Sequence, residues 1–407
     1  MSIRRFYIDN FKTLVDFHLP PLPHVLGAFT CLVGLNGAGK SSVLQAFDLL
    51  GHLATGDVED WLRQREWEKS DLTSRFLKRQ LINFELEFDL PSVGPVEWKG
   101  AFNTSLLRCT AESVRVDGGD VLRIGEDHLK VATGPWSPPL LYPLLGLDYH
   151  GSTLSFLKTE KLHPALHALR EHATRLRSLD MLSPQSMRRR AKDGTHIGYG
   201  GERLSAFLHA LPRHGQQQLL RSLQRFYPQL ADWSTKALRA GWKDLRVSEQ
   251  YPDANGKPLE TAARHINDGL LRVLAVLSQF GSAAAADDAP VLSPPAPRAC
   301  LLLDEIENGI NPELMQRLVE ALLEADRQII ITTHSPLVLN YLPDDFAREA
   351  VILLYRNPDG YTRSVRLFDL PSARERLRLL GPGEVFVDIP LRDVPAEAAA
   401  LPVPPPP

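Results

Sequence analysis

The chain runs to 407 residues, 43% of them hydrophobic and 23% charged, with a formal net charge of −3. Those are the values of an ordinary globular protein of two to three domains with a sizeable core, and they exclude a disordered chain, a coiled-coil rod and a collagen-like fibre. No run of about 18 uncharged apolar residues exists to span a membrane. The N-terminus (MSIRRFYIDNFK) lacks an apolar signal core, and Cys31, Cys109 and Cys300 form no C-x-x-C pair, which together point to a reducing cytoplasm.

Residues 3–19 alternate apolar and polar (Ile3, Phe6, Ile8, Phe11, Leu14, Phe17, Leu19) and predict a strand pair. Residues 29–33 (FTCLV) predict a short buried strand, followed by a Gly-rich turn and an amphipathic helix, SSVLQAFDLL. The pieces LINFELEFDL, PVEWKGAF, LLRCTAESVRV and DVLRIGEDHLKV over residues 81–131 are separated by Gly and Asp turns and predict an antiparallel meander. From about 151 to 240 the pattern turns helical, with no heptad sustained for three cycles, so a compact helical insert is expected and not a long coiled coil. A strand (LRVSEQY) and a turn (PDANGK) follow, then an apolar helix over 266–280 and a low-complexity stretch at 281–298 that reads as a flexible loop. The remainder alternates: strand ACLLLDE, helix NPELMQRLVEALLEA, strand QIIITTH, a short helix, the strand pair AVILLYRNPDGYTRSVRLF, and a Pro-rich tail that reads as disordered. The expected division is 1–150, 151–240, 241–370 and 371–407.

Residues 151–250 hold 17 Lys+Arg against 8 Asp+Glu, so a basic middle sits on an acidic frame and points weakly to a polyanionic partner. The densest cluster is Arg188-Arg189-Arg190-Ala191-Lys192, whose alternative reading is a solvated helix end. Trp61, Trp67, Trp233 and Trp242 are expected as core or interface residues and not as base-stacking platforms.

Gly34-Leu35-Asn36-Gly37-Ala38-Gly39-Lys40-Ser41 matches G-x-x-x-x-G-K-[ST] without departure, between a buried strand and a helix. Glycines let backbone N–H groups curl round a phosphate at the helix N-terminus. Lys40 can reach the β- and γ-phosphates, the Ser41 hydroxyl can ligate Mg²⁺, and Ser42 follows in the same turn, so ATP and Mg²⁺ are the expected ligands. Leu301-Leu302-Leu303-Asp304-Glu305 is an apolar strand ending in two acids, where ligands of a parallel sheet bind. Asp304 is expected to hold the Mg²⁺ water shell and Glu305 to polarise the attacking water as general base; Glu307 takes no firm role. His334 ends the next apolar strand, one strand over on the same sheet edge, within reach of a γ-phosphate or the water. The alternative for His334 is an ordinary turn residue.

These motifs together resemble the ABC-type ATPase head of the RecF/SMC superfamily. They resemble more closely the stand-alone bacterial AAA family ATPases, which include the ATPase halves of OLD-type nucleases and of anti-phage systems. The resemblance rests on residues 1–50 and 260–345, with 80–150 matching by pattern alone. It implies an α/β P-loop NTPase fold of ABC-head type, a mixed sheet plus antiparallel meander with a helical insert. It implies that Asn10-Phe11-Lys12 lie beside the nucleotide, and that His265-Ile266-Asn267-Asp268-Gly269 serve as the signature, with Asn267 replacing the usual Ser and an ordinary helix N-cap as the alternative. Glu307-Asn308-Gly309-Ile310-Asn311-Pro312 resembles the family's D-loop, with Asn311 where His is usual; Gln64 and Gln80 are candidates for the Q-loop glutamine. Signatures of this family act in trans, so the resemblance implies a homodimer sandwiching ATP between Lys40 of one protomer and Asn267–Gly269 of the other.

The function expected is an ATP-hydrolysing clamp or sensor on DNA or RNA, in repair or phage defence. The alternative is a nucleotide-gated switch that controls a separate effector nuclease or toxin. A transporter ATPase is disfavoured by the absence of L-S-G-G-Q. A nuclease within this chain is disfavoured because the residues after His334 hold no D-x-D, and Glu384 in GPGEVFVDIP is a lone acid in its neighbourhood and not a metal site.

Overall fold

A computed structural model describes residues 2–90, 93–134, 138–158, 161–281 and 300–401. The low-complexity stretch (residues 282–298 of it) and the tail from 402 lie outside the described residues. In chain order the strands are β1 (Ser2–Asp9), β2 (Phe17–Leu19), β3 (Phe29–Val33), β4 (Leu81–Leu90), β5 (Gly94–Asn103), β6 (Arg108–Val116), β7 (Gly119–Ile124), β8 (His128–Val131) and β9 (Leu140–Pro143). They continue with β10 (Arg177–Leu179), β11 (Leu230–Ala237), β12 (Lys243–Pro252), β13 (Pro258–Ala262), β14 (Leu301–Leu303), β15 (Ile329–Thr332), β16 (Val351–Arg356) and β17 (Thr362–Arg366).

Three sheets result, ordered β2-β1-β4-β5-β6-β7-β8-β9, β10-β14-β15-β3-β16-β17 and β11-β12-β13. The first is the expected antiparallel meander extended by β1, β2 and β9. Its patterning is legible in β4, where Ile82, Phe84, Leu86, Phe88 and Leu90 are buried on one face and Glu85 and Glu87 lie on the other, with Lys99 3.0 Å from Glu85 and Arg5 3.3 Å from Glu87. In the second sheet β14, β15, β3 and β16 run parallel. These strands are short and apolar throughout because both faces of a parallel sheet are covered. The helix Lys40–Thr55, which follows β3, carries Phe47 onto Phe6 of β1, ring centroids 4.3 Å apart. The Gln328 side chain, before β15, both accepts from Ile3 N (2.7 Å) and donates to Ile3 O (2.8 Å), so it pairs with β1 as a strand backbone would.

The chain divides into two compact units. One comprises residues 1–178, 299–304 and 326–407; the other comprises 179–298 and 305–325. This differs from the expected insert of 151–240. Residues 151–178 fold with the first unit because Glu112, on β6, is buried and accepts from Ser152 Oγ, Thr153 N (2.8 Å) and Thr153 Oγ1 (2.7 Å). Asp48, fully buried in the helix after β3, likewise accepts from Ser178 N (3.2 Å), Trp61 Nε1 (2.6 Å) and Arg65 Nη2 (2.9 Å). The second unit is not purely helical: its helices, among them Arg213–Phe226, Asp268–Gly281 and Pro312–Leu323, are accompanied by the antiparallel sheet β11-β12-β13.

His172, in the helix Pro164–Ala173, is buried, and its Nδ1 has no hydrogen-bond partner among the described residues. Burial first, and nearby positive charge such as Arg175, pull its pKa down to about 4. The unfolded chain binds a proton near 6.5 and the folded chain does not until about 4, so stability must fall as pH drops through that window. In denaturant titrations at pH 7 and pH 5, His172→Phe is expected to show a smaller loss on acidification than the wild type; an equal loss would contradict this.

Candidate nucleotide-binding site

The site begins at the carboxyl end of β3. Gly34 takes φ 149° and Gly39 φ 107°, and a Cβ on them would lie 2.3 Å from Leu354 O and 2.4 Å from Thr362 Oγ1. Only glycine fits at either place. Gly37, with φ 80°, has open space where a Cβ would stand, and Asn36 is exposed beside it. Two long-range contacts hold the loop: Arg356 Nε donates to Gly37 O (2.8 Å), and Thr362 Oγ1 donates to Ala38 O (2.9 Å) while lying 2.8 Å from Thr13 Oγ1. Lys40 is buried, and its ammonium donates to Gly34 O (2.8 Å) and Leu35 O (3.3 Å) at the mouth of the cradle.

The helix Lys40–Thr55 starts at Gly39 with no side-chain cap, so its first amides face the loop. Ser41 and Ser42, in that first turn, are half-buried. An uncapped sixteen-residue helix, an open glycine and a lysine suit a polyphosphate. The oxygen donors nearest in kind to a magnesium ion's needs are the Ser41 hydroxyl and the Asp304 carboxylate.

Register fixes the rest. Leu303 pairs with Ile331, and Ile331 with Cys31, so β14, β15 and β3 end at one sheet edge. Asp304 follows β14, His334 follows β15 and the glycine loop follows β3. With strands about 4.8 Å apart, the sequence-predicted Lys40, Ser41, Asp304 and His334 arrive on one edge, within two strand spacings. Thr332 Oγ1, fully buried, donates to Asp304 Oδ1 and fixes that carboxylate. His334 is exposed.

Asn10 and Phe11 do not fit the expectation of nucleotide contact. Both side chains are fully buried. Asn10 Nδ2 donates to Arg79 O (3.0 Å) and Leu81 O (2.8 Å), and its Oδ1 accepts from Ser74 N (3.2 Å). The residues tie a loop to the meander instead. Lys12 differs: its ammonium donates to Gln45 Oε1 (2.7 Å), on the helix that begins with Lys40, and sits 3.4 Å from the Trp67 ring centroid. Gln64 and Gln80 are exposed, and no contact singles out either side chain as the Q-loop glutamine.

The second unit holds the other expected elements. Glu305 has a left-handed backbone (φ 45°), and its Oε2 accepts from Asn308 Nδ2 (2.5 Å). Asn267 Oδ1 accepts from Leu270 N (2.8 Å), so Asn267 caps the helix Asp268–Gly281; both Asn267 and Asp268 are exposed. A Cβ on Gly269 would meet Gly309 O at 3.3 Å, which places the signature-like loop against the D-loop-like segment. Asn311 caps the helix Pro312–Leu323.

Arg188 parts from the rest of the arginine cluster. Arg188 Nη2 donates to Ile266 O (2.7 Å) and Asp268 Oδ1 (2.5 Å), and Arg190 donates to Asp244 (3.0 Å). Arg189 stays exposed. Glu384 accepts from Gly381 N (3.0 Å) as a helix cap, which is its structural use. The residues missed from sequence are Thr13, Thr332, Arg356 and Thr362. Each acts through a long-range pairing that no local pattern announces.

A glycine loop with its lysine at the edge of a parallel sheet is the architecture of a P-loop nucleotide-binding domain. The chain belongs to the family described as "AAA domain, putative AbiEii toxin, Type IV TA system", whose model matches residues 29–96 and 152–340. An OLD nuclease of Thermus scotoductus is 32% identical over 115 residues, which are 28% of this chain and 19% of that protein. Among solved structures, a SmcHead bound to the C-winged helix domain of ScpA has TM-score 0.54 at 14% identity, covering 90% of this chain and 97% of that one, and shows the shared fold. The recombination mediator protein RecF with ATPrS has TM-score 0.42 at 14% identity, covering 89% and 98%. No helix among the described residues is long and apolar enough to cross a membrane.

Gly39→Ala is expected to destabilise the protein by about 1–3 kcal/mol, through a left-handed backbone and collision with Thr362. Urea unfolding checks it, and a change under about 0.5 kcal/mol would show that the loop is not clamped there.

Proposed function

We propose that the chain binds ATP with Mg²⁺ in the Gly34–Ser42 cradle, hydrolyses it, and uses the cycle to open and close a homodimer acting on nucleic acid in repair or defence. The observation that carries this reading is the arrival of Lys40, Ser41, Asp304 and His334 at one edge of a parallel sheet. Lys40 leaves the loop carbonyls for the β- and γ-phosphates, and the first helical amides orient them. Ser41 and Asp304 would hold the magnesium ion, which when bound draws charge from the phosphate oxygens. Glu305 takes the proton of the attacking water, and His334 hydrogen-bonds near the γ-phosphate. Asn267 caps its helix through Oδ1, so its amide can donate to the γ-phosphate of a partner protomer, along with the Gly269 N–H. The γ-phosphate is therefore the part that distinguishes closed from open.

A nucleotide-gated switch on a separate effector is the second reading. It is favoured by the family's description, which names a toxin, and by the relative called a nuclease. Stimulation of turnover by DNA supports the clamp; slow turnover indifferent to DNA supports the switch.

Lys40→Ala is expected to weaken ATP binding by at least about tenfold, from loss of a charged hydrogen bond. Glu305→Gln is expected to keep binding, lower turnover by about 10²–10⁴, and double the mass seen by light scattering when ATP and Mg²⁺ are saturating. A Glu305→Gln protein that remains monomeric there counts against the sandwich.

A further inference from the structure

The second unit carries a concavity apart from the nucleotide-binding motifs. The β11–β12 hairpin turns through Arg239–Gly241, with Ala240 at φ 57° and Gly241 at φ 82°, and closes by Leu238 N donating to Trp242 O at 2.7 Å. The turn leaves Trp242 41% exposed, whereas Trp61 and Trp98 are fully buried and Trp233 is 7% exposed. The Lys192 ammonium sits 4.9 Å from the Trp242 ring centroid. Arg189, Arg190, Leu238, Arg239 and Trp242 wall a concavity of about 500 Å³.

Charge there is one-sided. Asp244 is the acid at hand, and it is shared between Arg190 (3.0 Å) and Arg246 (3.8 Å). The exposed side chains of Arg189 and Arg239 make no ion pair or hydrogen bond among the described residues. An exposed indole in a concavity, with two uncommitted guanidiniums and a flexible lysine at its rim, matches a ligand that has a flat π-face and flanking anionic charge.

We propose that this concavity binds single-stranded nucleic acid, with an unpaired base stacked on Trp242 and the adjoining phosphates on Arg189, Arg239 and Lys192. This narrows the nucleic-acid part of the function proposed above and rests on it. Single strand is specified because a duplex covers the faces of its bases with their neighbours, so an indole adds nothing to duplex binding. Lys192 holds the ring face until a base takes it, and its four-carbon stem then carries the ammonium to a phosphate.

The test is fluorescence anisotropy on the full chain, with a labelled oligothymidylate about 20 nucleotides long and a duplex of equal length. Trp242→Ala is expected to weaken oligothymidylate binding about tenfold to a hundredfold and to leave duplex binding within about twofold. Trp242→Phe is expected to retain most of the affinity. Arg189→Glu with Arg239→Glu is expected to weaken binding and to lower the salt slope by about 0.7 for each phosphate no longer engaged. ATP binding, measured on every variant, reports that the chain is folded. Unchanged oligothymidylate affinity in Trp242→Ala overturns the proposal, as does an equal loss for strand and duplex. So does a Trp242 dependence seen only with anionic phosphatidylserine vesicles. A wild type that fails to bind ATP would sink the nucleotide reading, while the oligonucleotide comparison would still decide this one.

Discussion

The phosphate cradle depends on two close approaches of packed structure to glycine. Leu354 O, on β16, stands where a side chain at residue 34 would begin, and Thr362 Oγ1, on β17, stands where one at residue 39 would begin. The glycines are therefore needed for room as well as for conformation. The consequence is that the strand pair at the end of the chain shapes the loop near its beginning. β16 is parallel to β3 with Leu353 opposite Val33, and Arg356 at its end grips Gly37 O. A shift of one residue in that register would turn the side chains over and withdraw the Arg356 contact. The positions of the lysine and of the helix amides at the loop depend on that register.

The elements that meet at this edge were legible in sequence because their patterns are local. A phosphate loop needs its glycines and lysine within a few residues, and a buried parallel strand ending in acids reads directly as LLLDE. Strict alternation likewise exposed the meander through LINFELEFDL. What escaped is long-range. Residues 151–178 have a helical look, and nothing in them shows that Ser152, Thr153 and Ser178 satisfy buried carboxylates on Glu112 and Asp48. β11 (LADWSTKA) alternates too weakly to be told from the helices before it. Asn10 and Phe11 show a different failure: a motif can sit in the expected place while its side chains turn inward to stitch the loop.

The run Arg188-Arg189-Arg190 is split, and the parting of Arg188 follows from geometry. Consecutive residues leaving a helix end point in different directions. Arg188 goes to the start of the helix Asp268–Gly281, while Arg189 and Arg190 line the Trp242 concavity, Arg190 also pairing with Asp244. Asp268, exposed at a helix N-terminus, gains from that macrodipole and from Arg188 together. One short segment thus contributes both to the shape of the signature-like loop and to a basic hollow beside an exposed indole.

Glu305 shows where the protein stores strain. A glutamate at φ 45° is in a backbone region that costs a non-glycine residue about 1–2 kcal/mol. Such a conformation lasts only if its surroundings over-determine it. Here Asn308 does so twice, donating its backbone N–H to Glu305 O (3.0 Å) and its side-chain amide to Glu305 Oε2 (2.5 Å). The turn therefore fixes the direction of the carboxylate as well as that of the main chain. A relaxed backbone at residue 305 would aim the side chain elsewhere. The Glu305 carboxylate is thus held by Asn308 and the Asp304 carboxylate by Thr332.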